Sequence, residues 1–206
     1  MHKRHTAQIP LKTYTLHECE EYMESKKIIF NRHQILQCYM IMGGVPYYWS
    51  LLKKGKSLPQ NIDDLFFKEG APLANEYENL YSALFNKPGQ YLKIVEALST
   101  VNKGITRDEI SNITGIASSG DLTRKLAELE NCGFIRKYVP FGYKQKNCLY
   151  QLIDNYTLFY YKFLRDNVQN ENYWKEQSNT PVVRTWSGIA FERVCFEHIA
   201  QIKAAL

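Results

Sequence analysis

The sequence predicts a mainly α-helical fold with one small β-hairpin in its second half. Apolar residues recur at helical spacing through most of the chain, and Gly or Pro pairs interrupt those stripes at intervals. Two short runs rich in β-branched and aromatic residues flank a Pro140-Phe141-Gly142 turn.

Taken in order, Ala7-Gln8-Ile9-Pro10-Leu11 reads as the end of a strand, so an upstream portion is expected to be missing. Thr15 and Glu18 stand at capping-box spacing and start a helix to Met23. From Asn31 to Met42, Ile35, Cys38, Tyr39 and Met42 form one stripe, which ends at Gly43-Gly44-Val45-Pro46. Helical spacing resumes at Tyr47, Tyr48, Leu51 and Leu52, and further helices are expected over 61–68 and 75–84. Tyr91, Ile94, Val95 and Leu98 then line one face of a helix. Thr106 and Glu109 form a second capping box, with Ile110 and Ile113 expected inward and Gly115 as the stop. Ser118 or Ser119 starts a helix with Leu122, Leu126 and Leu129 on one face, ended by Gly133. Strands at 134–135 and 149–152 complete the order helix, helix-turn-helix, β-hairpin, which is that of a winged helix. An aromatic helix over 154–165, a polar linker over 167–180, an extended piece over 181–185 and a helix over 187–205 close the chain.

Composition narrows the function classes. The 206 residues are 45% apolar and 23% charged, with no apolar run near the roughly 20 residues a membrane helix needs. Five scattered cysteines without a C-x-x-C pair argue against a disulfide framework or structural zinc and for a reducing, cytoplasmic setting. A net charge of +5 permits a polyanionic partner without requiring one. Gly55-Lys56-Ser57 has the end of a phosphate-binding loop but neither the earlier glycine nor a preceding strand. His17-x-Cys19 has no companion ligands, and no serine-hydrolase or zinc-protease motif occurs, so no catalytic or metal residues are assigned.

Nucleic acid is the strongest partner class readable from residues alone. Thr123 and Arg124 would face outward on the third helix of the winged helix, flanked by acids at 121, 128 and 130. Arg136, Lys137, Lys144 and Lys146 lie along the hairpin with aromatics between them and no acid. Such a surface leaves two readings open, contact with double-stranded DNA and a spacer or protein-docking role, and its residues lean away from sequence-specific readout. Tyr156, Phe159, Tyr160 and Phe163 are expected to pack helices together rather than to dock a partner.

Four segments add up to a resemblance: GGVPYYW at 43–49, the winged-helix stretch, LIDNYTLFYYKFL at 152–164 and WSGIAFERVCFEHI at 186–199. Together they resemble the C-terminal half of archaeal-type P-loop ATPases of the AAA+/STAND group, over essentially the whole chain. The resemblance implies a helical lid over 1–86, a winged helix over 87–166, and a linker with the first helix of a truncated nuclease-like domain over 167–206. By motif, Gly43, Gly44 and Pro46 correspond to the lid turn that packs against nucleotide, and Glu192 to the first glutamate of the nuclease-like domain. ATP and magnesium are thus implied for a longer protein whose nucleotide-binding core precedes this chain. The Walker motifs are not in this sequence, so no hydrolysis is expected from it alone. Two other readings stay open: a stand-alone winged-helix regulator and a protein-interaction adaptor.

Overall fold

Caps and breakers place the helices where the side-chain stripes need them. The computed structural model describes residues 12–142, 148–167 and 169–206. Thr15 caps α1 (Leu16–Ser25) by accepting from the Glu18 backbone N–H, while Glu18 answers at the Thr15 N–H. Asn31 and Gln34 build the same reciprocal cap on α2 (Arg32–Met42). Pro46 occupies the first turn of α3 (Pro46–Ser50), where a missing N–H costs nothing. Ser57 and Gln60 cap α4 (Leu58–Ile62), which runs on as a π-helical turn over Asp63–Phe67. Next come α5 (Glu76–Leu84) and α6 (Gly89–Ser99). The expected Thr106 to Glu109 box opens α7 (Arg107–Thr114), and left-handed Gly115 closes it. Ser119 caps α8 (Gly120–Asn131).

The strands β1 (Ile135–Tyr138) and β2 (Leu149–Leu152) pair antiparallel, with Arg136 opposite Gln151 and Lys137 opposite Tyr150. On its other edge β2 forms a single bridge, Tyr150 to Ile105, closed by hydrogen bonds of 3.0 and 2.8 Å. The aromatic helix begins as α9 (Asn155–Phe159) and continues as a π-helical turn over Tyr160–Leu164. The chain ends in α10 (Tyr173–Gln177), α11 (Pro181–Glu197) and α12 (Ile199–Ala205). The fold is thus mainly helical with one two-stranded antiparallel sheet.

Three local expectations need correction. The segment 181–185 is not extended: Thr180 accepts from the Val183 N–H, Pro181 sits in the first turn, and α11 starts there. β-Branched Val182 and Val183 favour a strand locally, but burial of Val183 with Trp186, Ala190 and Val194 overrides that preference. The stretch 167–180 holds a helical turn, α10, whose first N–H groups at Trp174 and Lys175 donate to the buried Asp63 carboxylate at 2.7 and 3.1 Å. Ile113 does not face inward but is 60% exposed, while Ile110 is fully buried.

Side-chain packing centres on aromatic rings. Phe159 is fully buried among Phe66, Phe67, Phe163, Trp174 and Trp186, with ring centroids 5.1 to 6.1 Å apart. It therefore joins the 63–67 turn to the C-terminal helices. A second group, Tyr81, Phe85, Tyr91 and Phe134, links α5 and α6 to the residue before β1. α2 lies between α1, α9 and α11. No helix is long and apolar enough to cross a membrane among the described residues.

Candidate functional site

The Gly43–Pro46 turn is built by its neighbours. Gly43, at φ 61°, ends α2, and its carbonyl accepts the Trp49 indole N–H at 2.7 Å. The Gly44 carbonyl accepts the Tyr14 N–H at 2.7 Å. A Cβ on Gly44 would stand 1.9 Å from the Tyr14 carbonyl oxygen, so only glycine admits this strand-like crossing. Pro46 and Tyr47 face solvent, Tyr47 with 54% of its surface exposed. The turn therefore presents an apolar edge outward while its glycines are occupied by the protein's own backbone.

Beneath this turn lies a polar node that sequence reasoning did not find. Tyr39 donates from its hydroxyl to the Tyr14 carbonyl at 2.9 Å. His198, buried between α11 and α12, accepts the Leu16 N–H on Nε2 at 3.0 Å, which leaves Nδ1 to donate to the Val194 carbonyl at 2.9 Å. Asn155 donates from Nδ2 to Glu197 at 3.3 Å. More than a third of Glu197 is exposed, yet desolvation and the nearby Asp154 push its carboxyl up to about 7. A folded-state value above the ordinary 4.5 means that the folded protein holds this proton more tightly than the unfolded chain. The stabilisation is full below the ordinary range and is lost as pH rises through about 7. We expect Glu197→Gln to make thermal stability less sensitive to pH between 5 and 8 (an approximate window set by the two values). Parallel melting curves of the two proteins across that range would exclude this role for Glu197.

The predicted nucleic-acid face is partly committed to internal contacts. Arg124 pairs with Asp121 at 2.6 Å and Glu128 at 2.7 Å on its own helix, which raises its pKa further. It also forms one wall of a groove of about 1070 Å³ closed on the far side by the 84–91 connection. Thr123 is exposed, but its Oγ1 accepts from Arg107 Nη1 at 3.0 Å. Lys125, not expected in the core, is buried against Tyr91 and pairs with Asp121. On β1, Lys137 is exposed, with its ammonium 6.0 Å from the Tyr150 ring centre. Arg136 is half-buried and donates from Nε to Gln151 Oε1 at 2.8 Å. Lys144 and Lys146 lie outside the described residues. Arg136 and Lys137 are thus neighbours on β1 with their side chains on opposite faces of the strand, and Thr123 and Arg124 lie on α8.

Other expectations concern chemistry. Around Gly55-Lys56-Ser57 the loop polar groups are taken up by buried Asn61, which accepts the Lys53 N–H at 2.7 Å and donates to the carbonyls of Lys53, Lys56 and Ser57. No strand leads into this loop, so the phosphate-binding geometry is not built. Among the described residues no three His, Cys, Asp or Glu side chains gather at metal-binding distance. All the cysteines are unpaired, and burial raises Cys19 to about 12, which makes it an unreactive core thiol.

No family model, curated protein or solved structure matches this chain.

Proposed function

We propose that this chain is the lid and winged-helix portion of an ATP-binding ATPase of the AAA+/STAND group. In this reading the state of the nucleotide repositions a DNA- or protein-binding winged helix. The observation that carries it is the Gly43–Pro46 turn, a G-x-P edge whose Pro46 and Tyr47 are turned to solvent on a helical module. Two further features agree with the winged-helix part. The order α6, α7, α8, β1, β2 is that of the motif, and the single Ile105 bridge lies beside β2, where the motif carries a short strand.

The residues present fit one part of a nucleotide and not the rest. Pro46 and Tyr47 offer a rigid apolar face against which a purine ring can lie. Gly43 and Gly44 give no phosphate cradle, because the Gly43 N–H already donates to the Tyr39 carbonyl at 2.8 Å and the space over Gly44 is filled by Tyr14. Magnesium and the phosphates would be held by residues of the nucleotide-binding core. This chain's role is to close over the base and to pass the movement on. The route available runs from the turn through Tyr14 and Leu16 to His198, and through Gly43 and Asn155 to Glu197. In the endogenous full-length polypeptide, ATP is expected to slow amide hydrogen exchange over residues 43–49 several-fold, by roughly 1 kcal/mol of added protection. Unchanged exchange there with ATP bound would overturn the lid assignment.

Of the other readings, a sequence-specific regulator draws least support. Base readout needs a free donor on the recognition helix, and Arg124 is held by two carboxylates of α8. The strand residues Arg136 and Lys137 favour contact with phosphate over contact with base edges.

A further inference from the structure

Arg193 lies on the inner stripe of α11 with Val183, Trp186, Ala190 and Val194, and only 9% of it is exposed. A guanidinium so placed is ordinarily matched by a carboxylate. Among the described residues none comes within 4.0 Å of it. Glu192 and Glu197 act on it from farther away, Arg136 opposes it, and desolvation lowers its pKa below the usual arginine value.

Its polar contact leads to a second arginine. Arg193 Nη2 donates to Asn102 Oδ1 at 3.2 Å, the Asn102 carbonyl accepts from Gln151 Nε2, and Gln151 Oε1 accepts from Arg136 Nε at 2.8 Å. Two cationic groups therefore sit at the ends of one relay of neutral amides, and the carboxylates that act on them, Glu192 and Glu197 on Arg193 and Glu197 on Arg136, do so without a hydrogen bond to either among the described residues. The Arg136 plane is held from the sides as well, 4.9 Å from the Phe196 ring and 5.5 Å from Tyr138. Phe196 is one helical turn beyond Arg193, so the same stretch of α11 positions both guanidinium groups. Lys103 stands beside them, its carbonyl accepting the Tyr138 hydroxyl. Each guanidinium carries five N–H donors, and the hydrogen bonds above use one from each.

We propose that Arg136 and Arg193 form a binding site for a phosphate-type oxyanion, which bridges β1 and α11 and supplies a hydrogen-bonded negative charge. Forked donors suit tetrahedral oxyanions better than single-point ones do. The phosphate can be free or part of a nucleic-acid backbone, and the chemistry at the two arginines is the same. The site does not depend on the ATPase reading, since neither arginine belongs to the Gly43–Pro46 turn.

The test is thermal melting of this chain at low ionic strength, in inorganic phosphate and in chloride matched for ionic strength. Phosphate at about ten times its dissociation constant should raise Tm by roughly 3–6 °C. Arg193→Met should melt at or above the parent in chloride, because it removes a buried charge without a hydrogen-bonded carboxylate, and should lose the phosphate shift. Arg136→Met should also lose it, and Lys54→Met, an exposed lysine in the loop before α4, should keep it. A short DNA duplex that competes with phosphate in the parent and weakens with Arg193→Met points to a backbone phosphate. A duplex indifferent to Arg193→Met points to free phosphate. No shift in the parent, or a full shift in both arginine variants, overturns the site. If Arg193→Met does not fold, Arg136→Met and Arg193→Lys decide, the latter expected to keep the charge but lose most of the shift.

Discussion

Gly44→Ala is expected to be among the most damaging single-methyl additions the chain can suffer. The new Cβ would lie 1.9 Å from the Tyr14 carbonyl oxygen and within 3 Å of its backbone nitrogen, and neither belongs to a side chain that can swing aside. The strand-like crossing must open, with loss of the Tyr14 to Gly44 hydrogen bond and disturbance of the neighbouring Tyr39 and Leu16 contacts. A loss of at least about 3 kcal/mol follows, roughly 6–12 °C in Tm for a chain of this size. Gly43→Ala is the informative companion. Its Cβ meets Asn155 at an ordinary 3.7 Å, so its cost is only that of holding alanine at φ 61°, about 1–3 kcal/mol. Calorimetry should therefore rank Gly44→Ala below Gly43→Ala, and the reverse order would show that the Tyr14 crossing is not tight.

Phe159→Ala is expected to cost about 3–5 kcal/mol, near the top of the range for core truncations. The ring is fully buried and meets five others drawn from the 63–67 turn, the aromatic helix, α10 and α11. Nothing nearby can collapse into the gap without moving Trp174, whose backbone N–H is fixed to Asp63. A fall in Tm of roughly 6–20 °C in calorimetry is the expected reading. A fall below about 2 °C would mean that these aromatics are only loosely packed and would reopen a docking role for them.

How much of this was legible beforehand differs by element. Capping boxes at Thr15 and Thr106, the left-handed stop at Gly115 and the leucine face of α8 depend on neighbours within one or two turns, so residue types and spacing reveal them. The start of α11 departs from its local pattern because two valines carry a strand preference that burial against α2 and the aromatic cluster overrides. The helical turn α10 depends on Asp63, more than a hundred residues earlier, and no local pattern announces such a cap.

The candidate site shows the same division. Pro46 and the Arg136–Lys137 pair are visible as motifs. That Arg124 is held by Asp121 and Glu128 was readable from i, i+3 and i, i+4 spacing, which gives those acids a partner as well as a repulsive charge. Arg193 did leave a signal. It falls at helical spacing on the stripe of Val183, Trp186 and Ala190, a position where an arginine is out of place. Its link to Arg136 through Asn102 and Gln151 joins three separate parts of the chain and could be seen only after folding.

The seat of α11 on α2 bears on how the protein is made. The inner face of α2, with Met40 and Ile41, is covered on that side by a helix that begins about 140 residues later, so a ribosome working at roughly 5–20 residues per second leaves it bare for on the order of ten seconds. During that interval the nascent chain carries an adhesive apolar surface. Its yield in the cell is then expected to depend on translation speed and chaperone supply as well as on the stability of the finished fold.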